Sequence, residues 1–156
     1  MQKIRYTDNR EHRFVIFQPR MDDPILVVCP RCNSKALIFP HLENTVKCIC
    51  TKCTFYNYKS PKIRYFQWHK ENPTDGYFSF PLWLQIKCCG NSLWAFNQKH
   101  LNILDLYVQA ALREHKTVKN EWCCNSSVVA KLPKWIKSYK NRDQIIKAIQ
   151  KLREKL

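Results

Sequence analysis

The chain has 156 residues, of which 45% are hydrophobic, 13% are aromatic and only two are glycine. These proportions exclude a chain that is disordered throughout, and they predict one domain or one domain with a small appended module. Lysine and arginine outnumber aspartate and glutamate by 27 to 12, and the formal net charge of +15 predicts attraction to polyanions.

The first residues of the chain do not resemble a targeting signal. Residues 1–14 contain no apolar run of the secretory kind, and no later segment approaches about 18 uninterrupted apolar residues. We therefore expect a cytoplasmic protein with no membrane association. In that reducing compartment the nine cysteines, an odd number, are better interpreted as metal ligands and buried thiols than as a disulfide framework.

Five cysteines fall between residues 29 and 53, and four of them form two C-x2-C pairs. The pairs Cys29–Cys32 and Cys50–Cys53 are separated by 17 residues, a spacing typical of a zinc site built from two turns. Four thiolates complete a tetrahedron around Zn²⁺ and leave no open position for water or substrate. The spacing thus predicts one structural zinc ion on these four cysteines, with Cys48 as the surplus thiol. Iron binding or a reactive cysteine cluster is the alternative.

The segments around the cysteine pairs predict an antiparallel zinc ribbon over residues 22–60. Residues 24–28, 35–39 and 45–49 are rich in aliphatic and β-branched side chains, which favour strands. Asn33, directly after the first pair, tolerates the left-handed conformation that closes such a turn. A ribbon of this size buries little apolar surface, so we expect metal binding to supply much of its folding free energy.

After the ribbon, two segments are predicted to form strands. Residues 62–68 alternate as a strand in which Trp68 is a candidate for stacking on nucleic-acid bases, although an aromatic strand face is more often buried in a core. Residues 82–96 contain two apolar runs around Gly90-Asn91, which predicts a β-hairpin with Trp94 as a further candidate exposed aromatic. Pairing across that turn places five apolar side chains on one face: Leu84, Ile86, Cys88, Leu93 and Ala95.

The remaining four cysteines form two adjacent pairs, Cys88-Cys89 and Cys123-Cys124. Consecutive strand residues point to opposite faces, so Cys88 and Cys89 are expected to diverge and to grip one ion poorly. We therefore favour buried thiols over a second zinc site here.

Helices are predicted for the last third of the chain. Asn97 is the expected cap of a central buried helix over residues 98–115, and Pro133 is expected to begin a short helix. Asn141 is the expected cap of the last helix, whose apolar stripe comprises Ile145, Ile146, Ile149, Leu152 and Leu156. The predicted fold class is α+β, with an antiparallel zinc ribbon and a β-hairpin followed by a helical carboxy-terminal part. The hairpin and helices, residues 61–156, form a second domain or one compact unit with the ribbon.

The carboxy-terminal segment concentrates positive charge, with nine basic residues against two acidic ones in residues 131–156. This predicts a non-catalytic protein that binds DNA or RNA through phosphate contacts. The simplest alternative is that these lysines only form the solvated face of a helix. The candidate contacts are Lys134, Lys137, Lys140, Arg142, Lys147 and Lys151. A protein-binding adaptor, inhibitor or assembly subunit that docks an acidic partner is the competing function.

An enzyme is not expected. The five histidines are scattered along the chain, and no glycine-rich phosphate loop, H-E-x-x-H or G-x-S-x-G motif occurs.

Several segments carry a family resemblance: the CPRC and CTKC pairs, PLWLQ, LWAFN and the closing LPKWIKSYKNRD. Over residues 25–156 the chain resembles a group of bacterial zinc-ribbon-containing proteins of the transcription-factor type. The resemblance implies a bacterial cytoplasmic setting and zinc ligands at Cys29, Cys32, Cys50 and Cys53. It implies no catalytic activity.

Overall fold

The computed structural model describes residues 4–8, 18–60, 72–110, 112–115 and 127–156. In chain order, the elements are β1 (Arg5–Asp8), β2 (Ile25–Val28), β3 (Lys35–Pro40), β4 (Val46–Cys50), β5 (Tyr56–Lys59), β6 (Leu84–Cys88), β7 (Asn91–Ala95), α1 (Gln98–Gln109), β8 (Leu112–His115), α2 (Lys134–Lys137), a 3₁₀ turn (Tyr139–Asn141) and α3 (Arg142–Arg153). The mixed α+β class is therefore confirmed. Among the described residues, no helix has the length and apolar character needed to cross a membrane.

Strands β2 to β5 form one antiparallel sheet in sequence order. The three segments predicted as ribbon strands correspond to β2, β3 and β4, and that prediction is confirmed. Consecutive residues of a strand point to opposite faces of the sheet, and one face supplies Ile25, Ile38 and Cys48 to a buried apolar cluster.

Strands β6 and β7 form the predicted hairpin, but its turn lies one residue earlier than expected. Asn91 pairs with Cys88, so the connecting residues are Cys89 and Gly90. Both have positive φ, 53° and 71°, as the twist of a tight two-residue hairpin turn requires. The expected face grouping is nonetheless confirmed, because Leu84 pairs with Ala95 and Ile86 with Leu93.

Both faces of the hairpin are covered. Leu84 and Leu93 pack in a cluster with residues of α1 and α3. Trp94 and Phe96 join the ribbon strands in the other cluster. Trp94 is only 4% exposed, so its prediction as an exposed aromatic is wrong.

Backbone hydrogen bonds connect β2 of the four-stranded sheet to residues that flank the hairpin. The Leu26 N–H donates to the Phe96 carbonyl at 2.8 Å, and the Trp83 N–H donates to the Leu26 carbonyl at 3.0 Å. The Val28 N–H donates to the Pro81 carbonyl at 2.8 Å. The division at residue 60 into two domains stays a prediction.

Helix α1 begins as predicted and ends early. The Asn97 side chain accepts a hydrogen bond from the His100 N–H at 2.9 Å, which confirms the cap. The prediction of a helix to residue 115 is wrong: Ala110 is extended, with φ −66° and ψ 128°, and β8 follows. Strand β8 pairs in parallel with β1, a contact across more than a hundred residues that overrides local helix propensity.

Helix α3 buries Ile145, Ile149 and Leu152, as its apolar stripe predicts. Leu156, the last residue of that stripe, lies beyond the helix end and is 39% exposed. Asn141 is the N-cap residue of α3, as predicted, but its side chain makes no capping hydrogen bond and donates instead to the Trp135 carbonyl at 2.9 Å.

Candidate metal centre

The first cysteine pair lies in a turn between β2 and β3. The Cys29 N–H donates to the Ser34 carbonyl at 2.8 Å, and the Asn33 N–H donates to the Cys29 carbonyl at 2.9 Å. Asn33 has the predicted left-handed conformation, with φ 58°. The Arg31 N–H points at the Cys29 sulfur, 3.4 Å away. The turn thus orients the Arg31 N–H toward the Cys29 sulfur, an arrangement that stabilises negative charge.

The second pair repeats this arrangement between β4 and β5. The Cys50 N–H donates to the Phe55 carbonyl at 3.0 Å, five residues on, just as Cys29 bonds to Ser34. The Lys52 and Cys53 N–H groups lie 3.3 and 3.4 Å from the Cys50 sulfur. The two turns are therefore built on the same hydrogen-bond pattern, although their intervening residues differ.

The two turns meet at the end of the sheet because β3 and β4 are antiparallel neighbours. Across the turns, the Cys32 and Cys50 Sγ atoms lie 3.4 Å apart and the Cys29 and Cys53 Sγ atoms lie 3.7 Å apart. All four Sγ atoms lie within 4.8 Å of one another. The predicted ligands are thus brought together at metal-binding distance.

A side-chain contact also joins the two turns. Arg31 Nη1 donates to the Thr54 hydroxyl at 3.1 Å. Thr54 occupies the position after the second pair, and its hydroxyl fixes the guanidinium beside the cluster.

The local environment separates the pKa values of Cys32, Cys50 and Cys53. Hydrogen bonds from the Ser34 backbone and hydroxyl lower the pKa of Cys32 to about 6. Burial raises the pKa of Cys50, but N–H groups of Lys52 and Cys53 outweigh it and leave a net lowering. A backbone hydrogen bond with Phe55 lowers the pKa of Cys53, but burial and the neighbouring thiols raise it to about 12. Without a cation, therefore, the four thiols do not all ionise near neutral pH.

The surplus thiol lies apart from the cluster. Cys48 is fully buried on the inner face of β4, and burial together with the nearby Asp75 charge raises its pKa to about 12. Its interpretation as a non-ligand agrees with this position.

The Cys88 and Cys89 thiols do not diverge, contrary to the sequence prediction. Their Sγ atoms lie 3.5 Å apart, because Cys89 occupies the turn with positive φ and no longer follows strand alternation. The Cys89 thiol also donates to Gln144 Oε1 on α3 at 3.3 Å. Cys123 and Cys124 lie outside the described residues.

The predicted phosphate contacts fall into two groups. Lys134, Lys140, Lys147 and Lys151 are exposed. Lys137 and Arg142 are half-buried, with Lys137 Nζ donating to the Ala130 carbonyl at 3.1 Å and Arg142 Nη2 donating to the Gln109 carbonyl. These two cations therefore also stabilise the fold, and Trp68 lies outside the described residues.

Two exposed tyrosines, Tyr56 and Tyr58, were not predicted as site residues. The alternation of YNYK at residues 56–59 is the signal that places both rings on one strand face.

No protein-family model, no curated protein and no solved structure matches this chain. The resemblance to a bacterial zinc-ribbon group thus stays a prediction. The fold and the site define an α+β protein with four cysteines clustered at one end of an antiparallel sheet.

Proposed function

We propose that this chain is a non-catalytic protein that holds one structural zinc ion and binds nucleic acid through a basic surface. The observation that carries the first half is the convergence of four thiol sulfurs from two matching turns. The nucleic-acid function is supported by the formal net charge of +15, which remains after all acidic residues are counted.

The donor set fits zinc. Thiolates about 2.3 Å from a tetrahedral zinc ion lie about 3.8 Å from one another. The Cys32–Cys50 and Cys29–Cys53 separations of 3.4 and 3.7 Å are close to that value, and all four sulfurs lie within 4.8 Å of one another. Four protein sulfurs close the coordination sphere, so the ion would hold the two turns together and take no substrate. Iron would fit the same sulfur set, and visible absorption of the purified protein distinguishes it from colourless zinc.

Three of the twelve acidic side chains bind partners inside the protein. Asp23 accepts from the Gln98 and Lys99 N–H groups at 3.2 and 3.0 Å. Asp105 forms an ion pair with Arg153 at 2.7 Å.

Asp75 is the third example. Its carboxylate accepts from the N–H groups of Tyr77, Phe78 and Phe80, each at 2.7 Å. The formal net charge of +15 already counts every acidic residue, and this excess of lysine and arginine attracts phosphates.

Salt dependence of binding tests the proposal. If the four exposed lysines of the carboxy-terminal segment each neutralise one phosphate, duplex affinity should fall about 100-fold between about 50 and 200 mM salt. Fluorescence anisotropy with labelled duplex and single-stranded oligonucleotides measures this fall. Absence of binding to either at the lower salt concentration would refute the nucleic-acid function.

A charge-reversal pair locates the surface. The double variant Lys134→Glu plus Lys140→Glu should weaken binding at least tenfold, whereas the matched variant Arg20→Glu plus Lys87→Glu should retain more of it. Equal losses would show that binding follows net charge alone. A single stoichiometric partner that survives nuclease treatment in a pull-down would instead support docking of an acidic protein.

A further inference from the structure

The β4–β5 end of the four-stranded sheet presents a mixed aromatic and basic surface. We call it the tyrosine face, and it comprises Phe39, Lys47, Ile49, Tyr56 and Tyr58. Directly opposed residues of antiparallel strands share a face. Lys47 is paired with Phe39 on one side and Tyr58 on the other, and Ile49 is paired with Tyr56. The five side chains therefore lie on the face opposite the buried Cys48.

Three side chains of this face are exposed, and Phe39 and Lys47 are partly exposed. Tyr56 is 67% exposed, Tyr58 is 51% exposed and Ile49 is 38% exposed. The tyrosine ring centroids lie 5.7 Å apart, and the exposed His41 ring lies 5.0 Å from that of Tyr58. Contiguous exposed aromatic surface is uncommon on a soluble domain and marks an interaction site.

The positive charge of the tyrosine face favours a negatively charged partner. Strands β3, β4 and β5 contain three lysines and no acidic residue, and the nearest acid along the chain is Glu43 in the β3–β4 turn. Lys35 Nζ donates to the Leu156 carbonyl at 2.6 Å, and Lys59 points to the other face, where its Nζ donates to the Tyr77 carbonyl at 3.3 Å. Lys47 is left between Phe39 and Tyr58, so a cation and aromatic rings alternate across three strands.

We infer that the tyrosine face binds unpaired bases of single-stranded nucleic acid, an inference that rests on the proposed function. Tyrosine rings stack on bases regardless of sequence, and a nearby lysine neutralises the phosphate between two stacked bases. In a duplex the base faces are already stacked on one another, so a flat sheet face contacts only backbone and groove edges. The tyrosines therefore favour single strands, whereas the carboxy-terminal lysines serve either form.

Four labelled probes of about 15 nucleotides test the inference by anisotropy. They are a thymine deoxyribonucleotide strand, a uracil ribonucleotide strand, a duplex and an abasic strand of equal charge. The Tyr56→Ala plus Tyr58→Ala variant should bind the two base-containing strands at least tenfold more weakly than the wild type. Its affinity for the duplex and for the abasic strand should change less than about twofold, since neither offers an unpaired base. The base-containing strand that the wild type binds more tightly identifies DNA or RNA as the preferred ligand.

The Tyr56→Phe plus Tyr58→Phe variant is the matched control. It keeps both rings, so its affinity for single strands should stay within about threefold of wild type. Metal content and thermal midpoint verify that all variants are folded.

Unchanged single-strand binding by the alanine variant would overturn the inference while leaving the proposed function standing. An equal loss of duplex affinity in the alanine variant would also overturn it. So would an alanine variant that no longer self-associates but keeps its affinity for single strands. Failure of the wild type to bind any probe at low salt would refute the proposed function itself.

Discussion

The Cys32 and Cys50 sulfur atoms lie 3.4 Å apart, although the two residues are 18 positions apart in the chain and belong to different turns. The antiparallel pairing of β3 with β4 brings the two turns together, and Ala36 opposite Cys50 is the first pair of that ladder. Metal binding at this point would fix the register of the sheet, because a slip of one residue would turn Cys50 away.

Replacing Cys50 and replacing Cys48 should have different effects. Cys50→Ser removes one of four ligands, so we expect loss of bound metal. Cys48→Ser should retain the metal and lose about 1–3 kcal/mol of unfolding free energy, because it places a hydroxyl in an apolar site. Metal analysis and urea unfolding measure the two effects. Loss of metal in both variants would contradict the assignment of Cys48 as a non-ligand.

Asp23 should stabilise the start of helix α1. Its carboxylate accepts from the first two N–H groups of the helix, where negative charge is favourable. We expect Asp23→Ala to lower the free energy of unfolding by about 1 kcal/mol. The neighbouring Asp22 is exposed, and Asp22→Ala is the control, with an expected change below about 0.5 kcal/mol. Equal effects in thermal melts would argue against the capping role.

His100 should make stability sensitive to acid. It is fully buried, and burial lowers its pKa from 6.5 to about 3, while its Nδ1 accepts from the Phe96 N–H at 3.2 Å. Between these values the unfolded chain binds more protons than the native chain. The free energy of unfolding therefore falls as the pH drops below 6.5.

A His100→Gln variant isolates this contribution. The wild type should lose about 2 kcal/mol more than the variant between about pH 7.5 and 5, the amount expected for one histidine that stays neutral. Urea titrations of both proteins in one zinc-containing buffer supply the comparison. Parallel pH profiles would show that His100 protonates in the native state.

The two hairpin thiols should differ in reactivity. Burial, together with the adjacent Cys89 thiol, raises the pKa of Cys88 to about 12, whereas Cys89 is half-exposed in the turn. At about pH 8, alkylation of the native protein should therefore modify Cys89 well before Cys88. Fragment-ion mass spectrometry resolves the two positions, and preferential labelling of Cys88 would contradict the hairpin geometry.

The ribbon strands and the cysteine cluster were predictable because their signals are local. Two C-x2-C turns at a fixed spacing define where the sulfurs converge, and Asn33 tolerates the left-handed conformation that its turn needs. The two faces of the hairpin were predictable from the alternation of residues along its strands. The turn lies one position earlier than predicted, but the same residues still share a face.

Features that depend on distant contacts were not predictable. Residues 110–115 have helical character, but β8 pairs with β1 near the amino terminus and ends the helix at Gln109. The sequence predicts Trp94 at the surface because it does not reveal that the four-stranded sheet covers that side of the hairpin. The direction of the Cys89 thiol depends on the positive φ that Cys89 adopts in the turn.

The zinc content of the purified wild-type chain is the most direct test of the account. Elemental analysis should find one equivalent of zinc per chain, and its removal by a chelator should lower the thermal midpoint and disrupt the ribbon. A chain with well below one equivalent of zinc, or one that melts unchanged after chelation, would contradict a metal-dependent ribbon.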